Sequence, residues 1–182
     1  MSTRTPTLQR MYIQCDPHDD VAQWSDEAIL EELQARLATR DNWRLRQGPI
    51  TSKTIVAMRS VVVEPMQHGR LFLAGDAAHI VPATGAKGLN LAAADVWYLA
   101  RAIARHAGTG SSEMLERYSE HCLRRVWRAE HFSWWMTSML HRFPADDAFQ
   151  QRLQHSQLEY TVGSAAAARS LAENYVGLPF DW

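Results

Sequence analysis

The stretch LFLAGDAAHIVPATGAKGLN (residues 71–90) decides how the rest of this chain is read. It begins as a short apolar run ending in Gly75 and Asp76, the pattern of a buried strand that delivers a turn at its C-terminal end. Open α/β sheets bind ligands at that end. Gly75 lets another group approach the backbone, and Asp76 offers a carboxylate that accepts from sugar-like hydroxyls. A loop rich in Gly and Pro follows over 80–88, and a helix is expected to begin near Lys87–Asn90. A helix start points free N–H groups and partial positive charge into the crevice. Lys87 adds a full charge. Such a site suits an acceptor-rich ring that becomes anionic on reduction; the plain alternative is a structural strand–turn–helix with an N-capping Asp.

Upstream, alternation in LQRMYIQC (8–15) predicts a half-buried strand with Leu8, Arg10, Tyr12 and Gln14 on one face, an odd composition for a core face. SDEAILEELQARLA (25–38) has a Ser N-cap, acids in its first turn and an apolar stripe through Ile29, Leu33 and Leu37, so it reads as a helix. ITSKTIVAMRSVVVEPM (50–66) is β-branched and reads as extended, closed by Pro65 and the turn at 67–69. RLFLAGD (70–76) reads as one short buried strand.

Downstream the pattern is helical only. A helix is expected over 89–108 with Gly108 as its cap, a long one over 112–143 stopped by Pro144, and two more over 146–160 and 164–174. Strands, one strand with its loop, then helices give an α+β class, with too few strands to complete a sheet. The order reads as the back part of a larger α/β or α+β protein.

The bulk numbers agree with a globular domain: 182 residues, 46% hydrophobic, 21% charged, and a formal net charge of −1. That charge provides no electrostatic reason to expect nucleic acid or an anionic membrane as partner. The basic run RRVWR (124–128) is interrupted by apolar residues and reads as a solvated helix face. Cys15 and Cys122 lie in no disulfide or metal-ligand spacing, and no metal site is expected. No run approaches the roughly 20 apolar residues of a membrane span. The start MSTRTPTLQR has no signal-peptide pattern, so cytoplasm is the expected location.

Strand, GDAAH, Pro82, TGAKG and LNLA in this order resemble the second FAD-binding motif of the flavin-dependent aromatic hydroxylases. RSVVVEPMQHGRLFLAGDAAHIVP (59–82), AEHFSWWMTSMLHRFP (129–144) and AENYVGLP (172–179) extend the resemblance over essentially the whole chain. It implies part of an FAD/NAD(P)-binding α/β fold in three parts. These are the remainder of a substrate-binding sheet region (1–69), the second FAD motif (70–108) and a helical region (109–182). It also implies FAD as cofactor and NADPH as co-substrate.

Site roles follow from the same resemblance. Asp76 corresponds to the residue that bonds the ribityl chain. Leu89 and Asn90 correspond to the segment that meets the pyrimidine edge, and Lys87 to a lysine favouring the reduced, anionic flavin. Ser2, Arg4 and Tyr12 match residues holding a substrate carboxylate, a task suited to the planar fork of arginine. Arg10 matches an arginine beside the flavin, Arg59 one implicated in NADPH binding, and Tyr175 a tyrosine that helps deprotonate a substrate phenol. Together they imply a small aromatic carboxylate substrate of the 4-hydroxybenzoate type, hydroxylated ortho to its phenol; the alternative is a related phenol, since hydroxylases sharing the GDAAH region accept others. The family's common homodimer is implied as well. His79 reads as structural, and Trp134 and Trp135, with Phe132 and Met136, read as helix core or subunit interface.

The chain departs from the family pattern at Ala83, where a second Pro is usual. Loss of that ring frees φ beside the substrate position, and the reading implies looser coupling of NADPH oxidation to hydroxylation. The G-x-G-x-x-G fingerprint that holds the FAD pyrophosphate follows no strand in these 182 residues. The chain is therefore expected to begin inside the substrate region, as a truncated gene, a mis-called start or half of a split protein. As a separate molecule it would then be an inactive fragment or a dimerising helper.

Overall fold

A computed structural model describes residues 1–38 and 41–177. The chain divides into two compact units, Met1–Met58 and Arg59–Trp182. Leu178 and Pro179 of the AENYVGLP stretch lie outside the described residues.

In the first unit, β1 (Ser2–Thr5) and β2 (Leu8–Arg10) pair antiparallel, with Ser2 opposite Arg10 and an irregularity between Thr3 and Thr5. The strand expected over 8–15 thus stops at Arg10. Its alternation survives with the opposite sense: Met11, Ile13 and Cys15 are half-buried, while Arg10, Tyr12 and Gln14 are exposed. That removes the oddity of a core face carrying Arg10 and Tyr12. Helix α1 (Asp26–Leu37) forms as its sequence dictates. The Ser25 hydroxyl accepts from the Ala28 N–H at 3.1 Å, Leu33 is buried, and Ile29 and Leu37 flank it half-buried. Lys53 donates to the Trp24 carbonyl and to Asp26, tying the following segment to the start of the helix. Residues 50–58 form no strand, although they are rich in β-branched residues. Such residues favour an extended backbone, but a strand exists only where a neighbour completes its hydrogen bonds.

The second unit begins with β3 (Val61–Val62), a hairpin of β4 (Gln67–His68) and β5 (Leu71–Phe72), and β6 (His79–Ile80), which pairs antiparallel with β3. The buried strand expected over 70–76 is therefore a two-residue hairpin arm, and Leu71 is 61% exposed. A strand buried on both faces needs sheet neighbours and covering layers. Among the described residues β5 pairs only with β4.

Helix α2 (Gly88–Thr109) runs past Gly108 and closes at Gly110, whose φ of +73° lets its N–H bond the His106 carbonyl. The helix expected over 112–143 breaks into α3 (Glu113–Glu116) and α4 (Tyr118–Leu140), and α4 ends well before Pro144. Helices α5 (Ala148–Gly163) and α6 (Ala165–Val176) follow. A reciprocal capping box between Asp147 and Gln150 opens α5. Ser164 serves both helices: its N–H closes α5 on the Tyr160 carbonyl, and its hydroxyl caps α6. The core lies where α2 and α4 meet the turn region, around Met66, Ala78, Leu91, Tyr98, Tyr118 and Val126. Cys122 belongs to this core. The α+β class stands.

Candidate functional site

The Gly75–Asp76 turn is held from several directions. Leu73 donates its N–H to the Met66 carbonyl at 2.9 Å, and the fully buried Tyr118 donates its hydroxyl to the Leu73 carbonyl at 2.7 Å. Gly75 takes a left-handed φ of +61°, and a Cβ built on it would stand 3.2 Å from the Ala92 Cβ of α2. The turn therefore lies directly on the helix. From α2, Asp95 accepts through Oδ2 from the Gly75 N–H at 3.0 Å and from His79 Nε2 at 2.7 Å. His79 and Asp95 are both about 98% buried. His79 is thereby tied to α2 through its Nε2. Asp76 itself is exposed.

After β6 the chain makes a 3₁₀ turn over Ala83–Gly85 and a left-handed step at Ala86, then enters α2. Gly85 lies close against α4: a Cβ would fall 2.7 Å from Ser133 Oγ and 3.2 Å from the Phe132 ring, so those side chains would have to shift. A Thr84–Thr137 hydroxyl bond of 2.7 Å pins the same loop to α4. Lys87 stands at the N-cap of α2 with no side-chain capping bond, and Leu89 and Asn90 in the first turn are exposed.

The Lys87 side chain is buried. Its ammonium donates to the Tyr175 carbonyl and lies 5.3 Å from the Phe132 ring centroid and 5.5 Å from that of Tyr175. Desolvation pushes its pKa down, and the two ring faces partly replace the lost water. The structure thus brings together Lys87 and Tyr175, which the resemblance singles out for different roles. Tyr175 remains half-exposed and packs edge-on against Phe132 at 6.2 Å.

Ser2 and Arg10 face each other across the β1–β2 ribbon, and cross-strand partners share a face. Arg4 lies at the irregular position of the same ribbon, and Tyr12 follows it, both exposed. Arg59 is exposed at the start of the second unit.

Two buried acids, Asp95 and Glu130, stand outside the residues that the sequence singles out. Both sit on the core stripe of a helix, Asp95 between Leu91 and Tyr98, Glu130 between Val126 and Ser133. A charged residue at a core-stripe position signals a buried partner, and that was the available clue. Ser60 donates to Glu130 Oε2 at 2.9 Å, while Oε1 finds no hydrogen-bond partner among the described residues. Burial pushes the Glu130 carboxyl up; the Ser60 bond and the nearby His79 pull it back in part.

A carboxyl with a raised folded-state pKa binds more protons in the native state than in the unfolded one. Stability then falls as pH rises through the interval above the ordinary glutamate range. Melting curves of the wild type should lose stability across that interval. Glu130→Gln should flatten the dependence and melt higher at neutral pH. An unchanged slope in the variant would refute the assignment.

Ala83 is the first residue of its 3₁₀ turn, and Pro82 before it has ψ 139°. Proline suits a first helical position, and an extended residue suits the place before proline. Ala83→Pro should therefore stabilise the unit by about 0.4–1 kcal/mol through the unfolded chain, measurable by urea titration.

Among the described residues no helix is long and apolar enough to cross a membrane, and no group of three or more His, Cys, Asp or Glu is placed to hold a metal. The sequence profile described as FAD binding domain matches residues 1–133. The chain belongs to this FAD-binding domain family. It is also 51% identical over 180 residues to the p-hydroxybenzoate hydroxylase of Acinetobacter baylyi. That alignment covers 99% of this chain but 45% of the relative, so the chain spans less than half of the protein it matches. Membership of the FAD-binding family accords with the resemblance drawn from GDAAH and TGAKG.

Proposed function

We propose that this chain forms the part of a flavoprotein monooxygenase that holds the ribityl and pyrimidine end of FAD. The whole protein would hydroxylate 4-hydroxybenzoate to 3,4-dihydroxybenzoate with NADPH and O2. The observation that carries the reading is exposed Asp76 on a tightly held turn, beside an α2 start that no side chain among the described residues caps. The residues present fit that end of the cofactor. Asp76 is free to accept from ribityl hydroxyls, and uncapped N–H groups at the helix start suit the acceptor-rich pyrimidine edge.

Bound FAD would supply the redox chemistry that activates O2. The chain's own residues bind and orient. Leu89 and Asn90 meet the ring through backbone N–H groups and the Asn90 amide. Lys87 adds positive charge at the helix start while tying the end of α6 to the loop. Ser2, Arg4 and Tyr12 hold the substrate carboxylate, and Arg10 stands beside the flavin. Arg59 meets NADPH, and Tyr175 takes part in deprotonating the phenol. An ionised phenol is electron-rich at its ortho carbon, the position to be hydroxylated. The exposed Trp127 and Trp134 of α4 support a homodimer in the complete protein.

The test is a flavin-fluorescence titration of wild type and Asp76→Ala. Loss of a carboxylate–hydroxyl contact should weaken FAD binding about tenfold, and equal affinities would remove the ribityl assignment.

A further inference from the structure

We propose that Asp95 is a positioning residue that sets the geometry of the segment presenting Asp76. Its Oδ2 accepts from the N–H of Gly75, just before Asp76, and from Nε2 of His79, three residues after it. One buried oxygen therefore pins both ends of the Asp76–Ala78 segment to α2 and leaves the Asp76 side chain free. Burial and the Asp95 charge push the Cys122 thiol of α4 up, so a second helix stands near the carboxylate.

The arrangement is costly to leave incomplete. Asp95 and His79 are each 2% exposed, and a buried donor without an acceptor is penalised by its full desolvation. Charge on the acceptor strengthens both bonds relative to neutral ones. The turn also has little freedom to relax, because Gly75 stands against Ala92 on the same helix. A supported carboxylate meets a ligand hydroxyl within hydrogen-bond reach. One displaced by about 1 Å does not, which is how a residue out of contact with the ligand controls binding.

This inference rests on the flavin reading above, and the experiment separates the two. In the 182-residue chain, Asp95→Asn keeps size but replaces a charged acceptor with a weaker one and brings amide donors among donors. His79→Asn removes one end of the pin and leaves the Gly75–Asp95 bond. Met139→Ala, a buried α4 substitution beside Thr161, controls for general loss of stability. Two quantities are read: FAD affinity by flavin fluorescence, and exchange of the Gly75 amide by NMR without flavin.

Asp95→Asn should weaken FAD about tenfold and release the Gly75 amide. His79→Asn should weaken FAD by less and leave that amide protected. Met139→Ala should lower the melting midpoint and move neither quantity. Wild-type affinity in both Asp95→Asn and His79→Asn, or an unaltered Gly75 amide in Asp95→Asn, overturns the positioning role while the flavin reading stands. A wild-type chain without saturable FAD binding overturns the flavin reading and this inference with it.

Discussion

Replacing Tyr118 by alanine lowers the unfolding free energy of the second unit by about 3–5 kcal/mol, as removal of a large buried aromatic side chain does elsewhere. The ring is fully buried at the start of α4, meets Phe72 edge-on at 5.5 Å and lies against Tyr98 at 6.1 Å. Burial pushes its phenol pKa well up, so it stays neutral and donates to Leu73 across the working range. Tyr118→Phe keeps the ring and leaves the Leu73 carbonyl without that donor, for a loss of about 1–3 kcal/mol. Typical domains are stable by about 5–15 kcal/mol, so the alanine variant loses a large share. Urea titration monitored by helical circular dichroism separates the two variants. Equal losses would show that the hydroxyl, and not the packing, holds the site. Leu73 immediately precedes the turn, so both variants should also loosen the Asp76 segment.

Gly75→Ala is the second large effect, about 2–5 kcal/mol from two sources. A left-handed conformation costs an L-residue about 1–2 kcal/mol, and the added methyl meets the Ala92 Cβ at 3.2 Å, where overpacking costs about 1–3 kcal/mol. A double-mutant cycle with Ala92→Gly separates them, because only the contact couples the two positions. FAD affinity should fall alongside stability, since the displaced residue adjoins Asp76. A variant as stable as wild type would show that the turn adopts a different backbone.

Much of this architecture was legible because it is local. Ser25 caps α1 through a bond three residues away, and apolar spacing marked the helices near 89, 146 and 164 within a few residues. The errors share a cause. The reading at 8–15 recognised alternation but not which face was buried, because burial depends on what packs above the strand. Residues 50–58 have strand composition without a strand. The end of α2 fell at Gly110 and not Gly108 because cap choice depends on which glycine reaches a left-handed φ. At the site, Asp76, Lys87 and Asn90 stood out within one motif, whereas Asp95 and Glu130 sit 16 and 70 residues from their side-chain partners His79 and Ser60.

The sequence by itself determined that a glycine–aspartate turn precedes a helix start, that this motif belongs to an FAD-binding family, and that helices dominate the rest. Those properties depend on residue order within some twenty positions. Only the tertiary structure decided that Asp95 pins both flanks of Asp76. It likewise joined the Lys87 ammonium to the Tyr175 carbonyl, 88 residues away, and left Leu71 on a hairpin arm instead of in a buried strand. Each of these results depends on which distant groups share a desolvated space. There, an unmet donor or an isolated charge is penalised by several kcal/mol, roughly the scale of a domain's whole stability.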